Sequence, residues 1–260
     1  RMIIGLFAYR DWLIWMERDN ALPRICFVRR GDDVATATQR VSFDEQAYSL
    51  GSDPSPEYAT DVFRFTYSSP TTPAQVFDYD LATGARTLRK SVEIPSGHDP
   101  ADYVTRRIMA PSHDWAEVPV TILHHKDTPL DGSAPCLLYG YGSYGMSMPA
   151  SFSGNRLSLV DRGFVYAIAH IRGGEEKGRA WYEDAKFGKK VNTFHDFIGA
   201  GEALIAGGYT SAGQIVIQGG SAGGLLVGAV VNMRPDLLAG VIADVPFVDV
   251  LNTILDETLP

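Results

Sequence analysis

A serine enclosed by glycines is the feature of this sequence that most restricts its fold. Ser221 lies within the segment 219–224, Gly-Gly-Ser-Ala-Gly-Gly, and follows the run 214–218, Gln-Ile-Val-Ile-Gln, which is typical of a strand. Apolar residues then recur at helical spacing until the Arg-Pro pair at 234–235. This order predicts a tight strand-to-helix turn in which only glycine or alanine fits beside the serine. We expect strained backbone and an exposed Oγ at Ser221, which is the geometry of a nucleophile.

Two other interpretations of the same segment compete with this one. A glycine-rich loop packed closely against a sheet would show similar residues without any chemistry. A phosphate-binding loop would end in Gly-Lys-Ser/Thr, but residues 223–225 are Gly-Gly-Leu and offer no lysine. The strand and the helix that flank the serine favour the nucleophile elbow over both.

Composition and charge limit the classes of function. The 260 residues are 45% apolar and 21% charged, which is typical of a globular protein with one large domain or two smaller ones. The net charge of −8 argues against a nucleic-acid partner. No apolar run approaches the roughly 20 residues that span a bilayer, and no signal-peptide pattern opens the chain. We therefore expect no membrane partner and a cytoplasmic location.

The cysteines and the first residue add two smaller expectations. Cys26 and Cys136 lie in apolar runs, so we predict small buried side chains rather than a disulfide, in a reducing compartment. The chain begins with Arg1, directly before the apolar run 2–8. This start predicts that further residues precede it in the natural protein.

Residues 1–95 show short alternating runs separated by polar turns, which predicts an all-β domain. A shift of 50 residues superposes Leu13 on Phe63 and Cys26 on Val76, and such a period is typical of propeller blades. Propellers have about four to eight blades, and fewer than two complete ones fit here. We therefore predict the C-terminal part of a β-propeller, with two merely similar hairpins as the alternative.

After a turn-forming segment at 95–100, strands alternate with helices, which predicts an α/β domain over residues 96–260. The predicted strands lie at 118–124, 136–139, 165–169, 215–218 and 240–243. The clearest helix is predicted from Phe194 to Ala206, opened by a capping box between Thr193 and Asp196, and its predicted role is packing.

A second glycine-rich loop, residues 139–145, follows a predicted strand at the end where open α/β sheets bind ligands. It fits G-x-G-x-x-G, but a dinucleotide site would begin a helix at the last glycine, and Met-Ser-Met-Pro follows instead. In an α/β-hydrolase this loop supplies half of the oxyanion hole, and the N–H after the serine supplies the other half. The candidate donors are the Tyr141 hydroxyl and the Ala222 N–H.

Three motifs in sequence order make the chain resemble the prolyl oligopeptidase family of serine peptidases. They are Leu-Tyr-Gly-Tyr-Gly at 138–142, His-Ile-Arg-Gly-Gly at 170–174 and the elbow at 219–224. Three further features resemble the oligopeptidase B, or protease II, branch of this family. They are the serine and tyrosine after Gly142, the alanine at 222, and Val-Pro-Phe-Val-Asp-Val at 245–250. Glu175 departs from the family pattern, in which glycine or serine is usual.

The resemblance implies a seven-bladed propeller that caps an α/β-hydrolase domain. This chain would hold the last blades and the first part of the catalytic domain. The resemblance also implies that Ser221 is the nucleophile, that Tyr141 and Ala222 stabilise the oxyanion, and that the substrates are short peptides cleaved after arginine or lysine. No cofactor is predicted.

The triad of this fold needs an acid and then a histidine after the serine. No histidine follows Ser221, and Asp244 and Asp249 resemble structural positions of the family. His170 and His195 precede the serine and match no family base, and no residue spacing predicts a metal site. We therefore expect an internal fragment of a serine oligopeptidase that is nearly inactive alone.

Two other functions stay open. An esterase or lipase would share the elbow, although the tyrosine-bearing loop and the propeller-like half are less typical of it. A binding module that uses the hydrolase domain as a scaffold would be consistent with the absence of a base.

Overall fold

The computed structural model describes residues 1–258, which form three β-sheets and six α-helices. The strands are β1 (Met2–Ala8), β2 (Trp12–Asp19), β3 (Leu22–Arg29), β4 (Gln39–Arg40), β5 (Ser49–Ser52), β6 (Val62–Ser68), β7 (Gln75–Asp80), β8 (Arg86–Ser91), β9 (Tyr103–Pro111), β10 (Glu117–His125), β11 (Cys136–Tyr139), β12 (Val165–Ala169), β13 (Ile215–Gly220) and β14 (Leu238–Asp244). The helices are α1 (Val34–Ala37), α2 (Gly154–Val160), α3 (Arg179–Glu183), α4 (Val191–Ala206), α5 (Ala222–Met233) and α6 (Val250–Leu255). None of the helices in this part of the chain has the length and apolarity needed to cross a membrane.

Two four-stranded antiparallel sheets make up the N-terminal part. The strands β1 to β4 lie side by side in chain order, and β5 to β8 do the same in the second sheet. Four strands per sheet is the build of a propeller blade. One buried cluster joins the sheets and includes Ile14 and Phe27 of the first with Phe63 and Phe65 of the second. The region thus holds two four-stranded sheets, so the expectation of fewer than two blades is wrong.

The superposition by 50 residues is wrong by one residue for β2 and β6, but it keeps the register of β3 and β7, because Phe27 pairs with Ile14 and Phe77 pairs with Phe65. It aligns the buried Ile14 of β2 with the exposed Arg64 of β6, which lies between the buried Phe63 and Phe65. Side chains of a strand alternate between its two faces, so a slip of one residue exchanges the core face with the outer face. The period therefore finds the equivalent strands but assigns the faces of β2 and β6 incorrectly.

The third sheet has six strands in the order β14-β13-β11-β12-β10-β9. The strands β9, β10 and β12 pair antiparallel, whereas β12, β11, β13 and β14 pair parallel. The bounds of β11 and β12 are those predicted, and β10, β13 and β14 are longer than their predicted segments. Strand β9 was not predicted, because most of its side chains are half-buried and show no clear alternation. Residues 92–102 connect the second and third sheets, and the domain boundary after residue 95 stays a prediction.

The strand order reverses at β11. From β11 the chain crosses to β12 on one side, and from β12 it crosses to β13 on the other side of β11. The carboxyl ends of β11 and β13 therefore border a crevice at a topological switch point, where open α/β sheets bind ligands. Tyr139 ends β11 opposite Gln218 of β13, so the two glycine-rich loops emerge side by side.

Helix α4 begins three residues earlier than predicted and lacks the predicted capping box. Its N-cap residue is Lys190, which makes no side-chain cap. Thr193 and Asp196 lie inside the helix and are buried, where Thr193 Oγ1 donates to the Arg172 carbonyl and Asp196 pairs with the Arg172 guanidinium. The helix therefore anchors a neighbouring loop through polar bonds, in addition to its predicted packing role.

Candidate active site

Ser221 occupies the sharp turn between β13 and α5. Its φ of 54° and ψ of −117° are a combination that residues with a side chain rarely adopt. Its N–H donates to the Asp244 carbonyl at 2.9 Å, and its carbonyl accepts from the N–H groups of Gly224 at 2.9 Å and Phe247 at 3.0 Å. These bonds hold the strained backbone from both sides. The residue is exposed, as the sequence predicts.

Small residues around Ser221 are required because backbone atoms approach them closely. A Cβ added at Gly219 would overlap the carbonyl oxygen of Gly223. A Cβ added at Gly224 would overlap the backbone of Pro246. Backbone atoms cannot move aside as a flexible side chain can, so the turn tolerates no larger residue at these two positions. This agrees with the crowding expected of a nucleophile elbow.

Ala222 places a free donor beside the serine. It is the first residue of α5 and is buried, and its N–H has no acceptor among residues 1–258. The first N–H groups of a helix lack intrahelical partners and lie at the positive end of the helix dipole. The group is therefore suited to an anionic oxygen that forms next to Ser221.

Tyr141 lies in the loop after β11, and its phenol interacts with the Ser221 side chain. Burial raises the pKa of this phenol, and the interaction with Ser221 partly offsets the rise. The phenol consequently keeps its proton at neutral pH and can donate a hydrogen bond. The structure thus brings the three predicted site residues together, while their catalytic roles stay a prediction.

The loop that carries Tyr141, residues 140–145, is packed so closely that its backbone path is fixed. A Cβ added at Gly140 would lie 2.6 Å from the ring of Phe197 on α4. Gly142 has a φ of 69°, and a Cβ there would overlap Thr193 of the same helix. Glycines are needed at both positions because α4 leaves no space for a side chain. No helix starts within this loop, which differs from a dinucleotide-binding turn.

A buried charge cluster supports the neighbouring loop, residues 170–174. The Arg172 guanidinium bonds Asp196 and Asp114, each at 2.6 Å. Arg172 and Asp196 are both buried, and Asp196 also accepts from the Arg172 N–H at 2.9 Å and from Ser112 Oγ at 2.6 Å. The Asp196 charge is therefore satisfied from several directions.

This cluster reaches the candidate site through one residue. Gly173 follows Arg172, and its carbonyl accepts the N–H of Gly145, in the Tyr141 loop, at 2.9 Å. Sequence reasoning missed the cluster because it assigned Asp196 to a helix cap and treated Arg172 only as part of a family motif. No local pattern could have joined them, since the pair is formed by the fold.

A cavity of about 480 Å³ opens beside Ala222 and has a mostly apolar lining. The lining includes Tyr144, Tyr182, Phe187, Leu225, Lys186 and Lys190. This volume is typical of a small-ligand site. Its charged groups, within the described part of the chain, are lysines rather than carboxylates.

No histidine in residues 1–258 hydrogen-bonds the Ser221 side chain. His170 is buried and contacts Thr121 Oγ1 through Nε2 at 2.8 Å. His195 lies against His113, with ring centres 4.3 Å apart. In the same described range, no group of three or more His, Cys, Asp or Glu side chains could hold a metal ion.

The two aspartates that follow Ser221 have structural partners. Asp244 accepts from Gln218 Nε2 at 2.9 Å, and Asp249 caps the start of α6. Neither forms an ion pair with a histidine of the described chain. The site as described therefore comprises a serine and two donors, with no acid and base pair identified.

Two domain profiles match the chain. The profile of the "Prolyl oligopeptidase family" matches residues 150–260, and that of the "Prolyl oligopeptidase, N-terminal beta-propeller domain" matches residues 3–92. The chain belongs to the prolyl oligopeptidase family. The match confirms the family resemblance and the predicted fold class, a partial α/β-hydrolase domain preceded by propeller blades.

Curated relatives are similar over nearly the whole chain. Dipeptidyl aminopeptidase BI of Pseudoxanthomonas mexicana is 46% identical over 98% of this chain and 35% of the relative. Protease 2 of Moraxella lacunata is 37% identical over 100% of this chain and 37% of the relative. The chain thus spans little more than a third of the length of these relatives.

Solved structures agree with the predicted branch. Oligopeptidase B from Leishmania major superposes with a TM-score of 0.89 and 41% identity, over 99% of this chain and 37% of that one. Oligopeptidase B from Trypanosoma brucei with covalently bound antipain gives a TM-score of 0.89 and 40% identity over the same shares. The chain is similar to oligopeptidase B in both sequence and fold.

Proposed function

We propose that the protein containing this chain is a serine peptidase that hydrolyses short peptides through an acyl-enzyme on Ser221. One observation carries the proposal: an exposed hydroxyl in a strained turn lies beside two hydrogen-bond donors, the Tyr141 phenol and the Ala222 N–H. The peptidase names of the relatives support it. An esterase with the same elbow is a weaker candidate, because a propeller domain accompanies the hydrolase fold.

In the proposed reaction, Ser221 Oγ attacks the carbonyl carbon of the scissile bond, and the carbonyl oxygen becomes an oxyanion. Tyr141 and Ala222 donate to this oxygen, and such donors are each worth about 3–4 kcal/mol of transition-state stabilisation. The proton leaves Oγ for a base, which returns it to the departing amine. We propose that this base is a histidine outside residues 1–260, so the chain alone is expected to be nearly inactive.

Cleavage after arginine or lysine is the proposed specificity. The similarity to oligopeptidase B supports it. The cavity beside Ala222 could accept a long side chain, but its described charged groups are Lys186 and Lys190. Carboxylates that recognise a basic side chain would therefore have to come from residues outside the described part of the chain.

Release of dipeptides from a free N-terminus is a second candidate, because a relative of 46% identity is named a dipeptidyl aminopeptidase. Two fluorogenic substrates of the same sequence, Ala-Arg with a free or an acetylated amine, separate the candidates. An endopeptidase is expected to cleave both, whereas a dipeptidyl aminopeptidase requires the free amine. Hydrolysis of a matching ester substrate, with no hydrolysis of either amide substrate, would favour the esterase.

The nucleophile is tested with a fluorophosphonate probe on the full-length protein. We expect rapid labelling of the wild type, no labelling of Ser221→Ala, and normal labelling of Ser158→Ala, which removes an exposed serine of α2. The 260-residue chain should label far more slowly than the full-length protein. Undiminished labelling of Ser221→Ala would overturn the proposed function.

A further inference from the structure

Lys190 makes two contacts that no sequence motif predicts. It immediately precedes α4, and its Nζ donates to the Gly142 carbonyl at 2.5 Å and to Ser143 Oγ at 2.8 Å. Both acceptors belong to the 140–145 loop, and they directly follow Tyr141. The lysine therefore joins the start of a core helix to the loop that carries the phenol.

The ammonium group of Lys190 has no carboxylate partner among residues 1–258. Its neighbour Lys189 differs, because its Nζ pairs with Asp184 at 2.9 Å and its side chain is 62% exposed. Lys190 instead is half-buried and lines the cavity beside Ala222. Burial lowers its pKa to about 8, so the group is still mainly protonated at neutral pH. Partial burial of an ammonium that bonds only two loop acceptors is costly unless those bonds are needed.

The two bonds add a charged anchor to a loop that packing against α4 already confines. Glycines 140 and 142 are confined by α4, but packing alone sets no hydrogen bond on the Gly142 carbonyl. The charged Nζ provides that bond, and charge-assisted bonds are roughly twice as strong as neutral ones. Displacement of a catalytic group by about 1 Å can cost about 100-fold in rate, so a support of this kind has a measurable effect.

We propose that Lys190 is a positioning residue of the oxyanion site, which fixes the 140–145 loop so that the Tyr141 phenol points at the oxygen formed beside Ser221. The inference rests on the proposed function and extends it to a residue that touches no reacting atom. Loss of Lys190 is expected to reduce activity through the position of Tyr141 and not through the stability of the fold.

The test is a double-mutant cycle in the full-length protein, with kcat and KM measured on one peptide substrate. Lys190→Met removes both bonds, and we expect kcat to fall by about 10- to 100-fold with KM changed less than about threefold. Lys190→Gln keeps one neutral donor and should fall between Met and wild type. Lys189→Met is the matched control and should stay within about twofold of wild type, because its exposed ion pair contributes little.

Coupling to Tyr141 decides the outcome. In a Tyr141→Phe background, Lys190→Met should cause less than about a threefold further loss, because the group it positions is already absent. Equal losses in both backgrounds, or full activity of Lys190→Met, would overturn the inference. Thermal unfolding of each variant distinguishes a folding defect from a loss of activity in a folded protein. If Lys190→Met does not fold, Lys190→Gln is used for the same comparison. If Ser221→Ala or Tyr141→Phe keeps full activity, the proposed function itself fails, which is a distinct result.

Discussion

The two neighbours of β13 differ sharply, although both flank the strand that carries Ser221. We define the β11 side as strand β11, the loops 140–145 and 170–174, and helix α4. Strand β11 is almost wholly buried, and Phe197 of α4 is 1% exposed. On the β14 side, defined as residues 238–255, most of β14 is exposed, and Val245 reaches 85% and Leu251 70% exposure. Among residues 1–258, β14 pairs with β13 alone and lies at the edge of the sheet.

This difference shows which parts of the candidate site the described residues support by themselves. The donors that would receive negative charge rest on buried elements with many fixed contacts, which suits groups whose positions must not change during reaction. Asp244 and Asp249 lie on the exposed side, where few apolar contacts restrain them. Within the described chain, the oxyanion half of the site is therefore much better supported than the side from which an acid would come.

The largest predicted effect contrasts one apolar side chain from each side. Phe197→Ala should destabilise the 260-residue chain by about 3–5 kcal/mol, because it opens a cavity under the Tyr141 loop. Leu251→Ala should cost less than about 0.5 kcal/mol, because the side chain is already exposed. Urea unfolding followed by tryptophan fluorescence measures both. Similar losses for the two variants would show that the β14 side is packed in solution.

The next effect compares glycines on adjacent strands. Gly219→Ala places a Cβ against the Gly223 carbonyl and should cost about 1–3 kcal/mol, as overpacking does. Gly240→Ala on β14 meets nothing within 4 Å, so its effect should stay within about 0.5 kcal/mol.

Phosphonate labelling of the full-length variants sharpens the comparison between the two glycines. The Gly219 variant should label slowly because the elbow is distorted, and the Gly240 variant should label like the wild type. Normal labelling of Gly219→Ala would mean that the turn relaxes without harm to Ser221.

The smallest predicted effect is a pH dependence on the β11 side, because the Asp114 side chain is 40% exposed and solvent screens its ion pair. The hydrogen bond from Arg172 lowers the pKa of Asp114 to about 2, against about 3.9 in an unfolded chain. A lowered carboxyl pKa stabilises the folded state above pH of about 4, and this contribution is lost as the pH falls toward 2. The stability difference between wild type and Asp114→Asn should be constant near neutral pH and shrink over that window. Urea midpoints across the range check this, and a constant difference down to pH of about 2 would contradict it.

Local patterns predicted much of the third sheet. Strands β11 and β12 are short apolar runs, so their bounds could be predicted from sequence. Ser221, Ala222 and Tyr141 could be found for a similar reason, because a nucleophile elbow and a glycine-rich loop are local signals with a fixed structural context. The structure places all three at one crevice.

Contacts between distant segments could not be predicted in this way. Asp196 and Thr193 have the spacing of a capping box, but the fold buries them against Arg172, and tertiary bonding overrides the local preference. Lys190 carries no distinguishing signal, because its neighbour Lys189 is the same residue type with a different environment. The period of 50 residues misaligned β2 and β6 by one residue, since the assignment of side chains to a face requires a register that spacing alone does not provide.

The backbone of Ser221 also limits which nucleophiles this position could acquire. A φ of 54° is tolerated by an unbranched side chain held by its neighbours, but a β-branched residue is a strong outlier there. Threonine would preserve a hydroxyl and still be rejected, whereas cysteine has the same branching as serine and fits. The turn is therefore more compatible with a mutation of Ser221 to cysteine than with a mutation to threonine.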